Sequence, residues 1–120
     1  MAKYLNQIPC KKILLLDACH PFNPSSNKIP FDDKTTIIGS SQEGESSYEN
    51  DAWKNGAFTE IVLQGLSGKA DFNQNHIITI SELYGYLCQK LPPLVKKEIN
   101  QTQTPIFINN SFEEIPIIDY

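Results

Sequence analysis

Arginine is absent from this chain, and all ten basic side chains are lysines. Without a guanidinium fork there is no bidentate reader of phosphate or of base edges. Fourteen acidic residues against ten basic ones leave a formal net charge of −4 and a pI near 5.0, so no basic field steers the protein to nucleic acid. No apolar run approaches the roughly eighteen residues of a bilayer span, and no charged-then-apolar leader opens the chain. Neither nucleic acid nor membrane is therefore expected as a partner, and the cytoplasm is the default compartment. Cysteine is scarce: Cys10, Cys19 and Cys88 form an odd set with no CxxC pair and no zinc-like spacing, which argues against a disulfide scaffold or a structural metal centre. Only two histidines occur, His20 and His76. A chain of 120 residues, 40% hydrophobic and 20% charged, is enough for one small domain with a modest core.

Against this background the run Ile13-Leu14-Leu15-Leu16-Asp17-Ala18-Cys19-His20 stands out. Four aliphatic residues between Lys12 and Asp17 fit a strand buried on both faces. Ligands of open α/β sheets lie just beyond the carboxyl ends of such strands, which is where Cys19 falls. A lone cysteine is also commonly a small buried hydrophobe, so its surroundings must decide between the two readings.

The rest of the chain reads as an alternation of short strands and helices. Thr35 to Ser40 and Pro105 to Ile108 are the second and third expected strands. Pro21 to Asp33, rich in Pro, Asn and Ser, is a loop. The polar stretch Ser41 to Glu49 leads to a helix from Gly56 to Leu66, whose Phe58, Ile61, Val62 and Leu66 recur at helical spacing. A second helix starts at Ser81, capped by Ser81 or Thr79, with Leu83, Tyr86, Leu87 and Leu91 on its core side. Pro92-Pro93 is expected to stop it, with a short helix at Lys96 to Ile99 beyond. The acidic tail from Ser111 to Tyr120 is either a docking segment or a frayed end.

Between the helices, Asp71, Asn73, Asn75, Thr79 and Glu82 occupy positions one, three, five, nine and twelve of an EF-hand loop, with the Ile77 carbonyl at seven. Calcium takes six to eight oxygens, and a terminal bidentate Glu closes the cage. Only two of these ligands are carboxylates, however, and His76 stands where glycine makes the sharp turn. Weak calcium binding and a purely structural turn capped by Glu82 are the two readings.

The series Asp17-Ala18-Cys19-His20, the Ser-rich strand, Ser46-Ser47-Tyr48-Glu49, Gly56-Ala57-Phe58-Thr59 and Gly65-Leu66 resembles the caspase-like and metacaspase-like cysteine peptidases over about residues 11 to 107. The resemblance implies an α/β fold, a caspase-like three-layer α/β/α sheet. Only its C-terminal half is present, about three strands with two or three helices, over residues 1–110, with 111–120 as a tail. It implies Cys19 as nucleophile, its backbone amide forming part of the oxyanion hole, and a primary pocket lined by Asp17 that favours Lys or Arg. It also implies a substrate cleft shaped by Ser40, Ser41 and Gln42, where a peptide could pair in extended form. The oxygen set Asp71, Asn73, Asn75, Ile77, Thr79 and Glu82 corresponds to a calcium-type loop often carried at this place, so calcium is the one candidate cofactor and none is required. Two departures matter. Pro21-Phe22 replaces the usual Ser-Gly after the histidine, and no His precedes Cys19 to act as general base. The expectation is a subunit of a cysteine endopeptidase that takes its catalytic His from an N-terminal half-domain on another chain and acts on a protein or peptide substrate. The rival is an inactive caspase-like subunit that binds a peptide or protein partner.

Overall fold

The computed structural model describes residues 7–17, 34–41, 56–109 and 115–119. In chain order the elements are β1 (Lys12–Leu16), β2 (Thr35–Gly39), α1 (Ala57–Gln64), a π-helical turn (Gly65–Lys69), β3 (Ile77–Thr79), α2 (Ile80–Ile99), β4 (Ile106–Asn109) and β5 (Pro116–Asp119). The result is a small mixed α/β domain with two helices and five strands in two sheets.

The larger sheet has the order β1-β2-β4. β1 runs parallel to β2 in the register Lys12↔Thr35 to Leu16↔Gly39, and β4 returns antiparallel with Ile37 opposite Ile108. β2 is buried along its whole length, as its β-branched sequence Thr-Thr-Ile-Ile favours. Ile38 belongs to the main core with Phe58, Ile61, Leu83, Leu87 and Val95. Ile37, which alternation places on the opposite face, is equally enclosed.

β1 departs from the expectation of a strand buried on both faces. It lies at the sheet's edge, Ile13, Leu14 and Leu16 are only half-buried, and Leu15 is 40% exposed. The four aliphatics predict burial, but no strand among the described residues covers the outer edge.

α2 also differs from expectation, running unbroken through Pro92-Pro93 to Ile99. Each proline removes an amide donor, at about 3 kcal/mol in a helix interior. The helix continues because Leu87, Leu91 and Val95, spaced four residues apart on one face, are all wholly buried. Tertiary packing outweighs the local preference. Its first turn is fixed by a capping box in which Thr79 Oγ1 accepts from the Glu82 amide and Glu82 Oε1 accepts from the Thr79 amide, at 3.3 and 3.2 Å. Asn100 ends it in the left-handed conformation, φ 55°. The sheet is tied to this helix by Tyr84 stacking on Phe107, with ring centroids 4.8 Å apart.

The second sheet was not foreseen. Pro116–Asp119, read from sequence as a docking segment or frayed end, is strand β5, paired antiparallel with β3. The Ile80 amide bonds the Ile115 carbonyl at 2.8 Å, so these residues of the tail close over the start of α2. No helix among the described residues is long and apolar enough to cross a membrane.

Candidate functional site at the carboxyl end of the parallel strands

The ladder between β1 and β2 ends at Leu16↔Gly39, so Asp17 and Ser40 leave the sheet side by side. The Ser40 amide donates to the Leu16 carbonyl at 2.9 Å and makes the last rung. Two residues from distant parts of the chain fix this end. Thr59 Oγ1, in the first turn of α1, donates to Asp17 Oδ2 at 2.6 Å. Gln103 Nε2, fully buried ahead of β4, donates to the Ser40 carbonyl at 2.9 Å. Asp17 is exposed and Ser40 and Ser41 are enclosed. The Ser41 hydroxyl oxygen is buried with no hydrogen-bond partner among the described residues, an arrangement that costs about 1–3 kcal/mol unless another group meets it.

Of the residues assigned to the peptidase site, Asp17, Ser40 and Ser41 therefore lie at one rim. Cys19, Gln42, His20 and the loop 42–50 lie outside the described residues. Thr59 and Gln103 were not singled out as site residues in the sequence. Gln103 sits in the Gln101-Thr102-Gln103-Thr104-Pro105 run that leads into β4, a signal of position but not of role.

The calcium-type loop forms a separate cluster between α1 and α2. Asp71 is largely buried, with Oδ1 accepting from the Asn75 amide at 3.2 Å and Oδ2 from the His76 amide at 3.0 Å. Asn73 Oδ1 accepts from the Asn75 amide at 3.2 Å and Asn75 Oδ1 from the Ile77 amide at 3.0 Å. Glu82 Oε2 reaches back to the Phe72 amide at 2.9 Å. His76 has φ 66° and Gln74 φ 57°, so the chain makes the sharp left-handed turn at the glycine position with a histidine in it. Ile78, at position eight, is fully buried. Among the described residues no group of three or more His, Cys, Asp or Glu is placed to hold a metal. The donors fit a hard cation in kind, since all are oxygens. Both carboxylates already hold loop amides, so the turn is complete by its own hydrogen bonds.

No protein-family model, curated protein or solved structure matches this chain. The peptidase reading therefore rests on its own motifs and on the strand-end geometry.

Proposed function

We propose that this chain is the nucleophile-bearing subunit of a caspase-like cysteine endopeptidase of the cytoplasm, the C-terminal half of a three-layer α/β/α domain whose other half comes from a second chain. The observation that carries the reading is the convergence of Asp17 and Ser40 at the carboxyl end of a parallel strand pair, two residues before Cys19. In this mechanism the Cys19 thiolate attacks the scissile carbonyl. Its backbone amide helps to hold the oxyanion. A His from the partner chain takes the thiol proton, returns it to the leaving amine, and then activates water to release the acyl group. The Asp17 carboxylate, steadied by Thr59, gives the pocket its preference for Lys or Arg.

The edge position of β1 supports a partner chain. Alternate residues of a parallel strand bond the same neighbour. Lys12 and Leu16 bond towards β2, through Lys34 and Ser40 respectively, so the backbone groups of Ile13 and Leu15 face outward. After Lys12 this edge is aliphatic over Ile13 to Leu16, and an aliphatic edge of this kind is a template for another strand.

A second reading has its own observation. His76, the only described histidine, is locked into the Asp71–Glu82 loop through its amide, and no histidine precedes Cys19. A chain with this endowment and no partner is a peptide-binding scaffold. A peptidyl acyloxymethyl ketone probe with Lys at P1, added to the purified chain and to extract of the source cells, separates the two. The peptidase reading expects Cys19 labelling in extract, lost in Cys19→Ala and slowed at least tenfold in Asp17→Asn. No labelling in either sample, with the chain folded, establishes the scaffold.

A further inference from the structure

A groove of about 490 Å³ opens where the end of α1 meets α2, lined by Gln64, Lys69, Phe72, Tyr86, Gln89 and Lys90. It is separate from the strand-end rim and plays no part in the peptidase reading. Its shape comes from backbone choices at two glycines. A Cβ on Gly65 would stand 3.1 Å from both Leu83 Cδ1 and Tyr86 Cδ1, so the absent side chain lets α1 end directly against α2. The helix then widens into the π-helical turn, and Gly68, at φ 124°, turns the chain out of it just before Lys69. Beyond the turn, Phe72 is left 51% exposed, its ring 6.4 Å from Tyr86 and inclined at 42°.

The chemistry of the lining selects an occupant. Two lysines and no carboxylate line this groove in a chain of net charge −4. The carboxylates bonded to lining residues are already engaged: Glu60 accepts from Gln64 Nε2 at 3.4 Å and Glu82 from the Phe72 amide at 2.9 Å. The half-exposed Phe72 ring offers an apolar contact beside the charges. Gln64 Oε1 accepts from the Tyr86 hydroxyl at 3.3 Å, and exposed Gln89 presents a donor and an acceptor that match a peptide group. Lysines pair with anions as point charges, carboxylate and phosphate alike, so the apolar and amide contacts beside them favour a peptide. Gln64 ends α1 while Tyr86, Gln89 and Lys90 lie within α2, so neither helix aims its N-terminal amides here.

We propose that this groove docks an extended acidic peptide segment of a partner protein, its carboxylates on Lys69 and Lys90 and an apolar side chain over Phe72. Amide chemical-shift titration of the full chain with acetyl-Glu-Leu-Glu-Phe-Glu tests it, with the Gln-for-Glu peptide and ATP as parallel arms. The expected result is a set of saturating shifts centred on the groove, weakened by salt. Affinity should fall at least tenfold in Lys69→Ala/Lys90→Ala and at least threefold in Phe72→Ala, and stay unchanged in Cys19→Ala. Equal binding of the neutral peptide, shifts centred elsewhere, an unaffected double variant, or ATP binding the groove more tightly than the peptide each overturns the proposal. Both lysines are exposed, so the double variant leaves the fold in place.

Discussion

Burial pushes the Tyr84 phenol up to about 12, reinforced by a hydrogen bond and charge interaction with Cys88. The unfolded phenol ionises near 10, so the native state holds the neutral form where the unfolded chain has already lost its proton. The resulting stability is complete below about pH 10 and is lost as pH rises through about 12. Tyr84→Phe removes this term. Denaturation midpoints measured across that window should fall less steeply in the variant than in the parent, because the ten lysines titrate alike in both. Parallel slopes would show that Tyr84 is as easily ionised in the fold as in water. At the same scale, Asp17 and His76 were legible because their motifs fix the backbone around them: a strand end for the first, a left-handed turn for the second. Thr59 and Gln103 were not. Their bonds to Asp17 and Ser40 span 42 and 63 residues, and a local pattern carries no information about such pairs.

Elements show the same division between what is local and what is tertiary. The capping box at Thr79 and Glu82 was partly readable, since Thr followed three residues later by Glu before an apolar run is its signature. Continuation through Pro92-Pro93 was unreadable, because the apolar stripe that overrides the prolines is decided by packing. Glu82 separates cap from cation site. Glu82→Gln keeps the capping box through its one carbonyl oxygen but turns its NH2 toward the Phe72 amide that Oε2 now meets, so it should cost about 0.5–1.5 kcal/mol, whereas Glu82→Ala, which loses both bonds, should cost about 1–3 kcal/mol. A chelator should leave the melting temperature of the parent in place, since the loop oxygens already hold their amides. A calcium-dependent rise in melting temperature that disappears in Glu82→Gln would instead make the loop a working cation site. The end of α1 gives a second element-scale test. Gly65→Ala gains up to about 1 kcal/mol of helix propensity. It also drives a methyl into Leu83 and Tyr86, both held in the core, and overpacking of this kind costs about 1–3 kcal/mol. A net loss near 1 kcal/mol by denaturant titration is expected.

At the scale of the whole molecule the decisive feature is the outer edge of β1, which no described strand covers. A parallel strand of the sequence Ile-Leu-Leu-Leu belongs inside a sheet, yet its outer side meets no strand among the described residues. Natural edge strands carry Lys, Pro or bulges that discourage pairing; β1 has one lysine, Lys12 at its first residue and largely buried, and none over Ile13 to Leu16. The purified chain should therefore self-associate as its concentration rises, read by light scattering after size exclusion. Leu15→Lys, at a side chain already 40% exposed, should restore the monomer while shifting stability by less than about 1 kcal/mol. The same substitution should abolish Cys19 labelling in extract, because the charge that blocks self-pairing also blocks the strand of a partner. A parent chain that stays monomeric at every concentration, together with unimpaired labelling of Leu15→Lys, would mean that this edge is not where the second half-domain joins. The proposed peptidase would then need its histidine to approach from another side of the sheet.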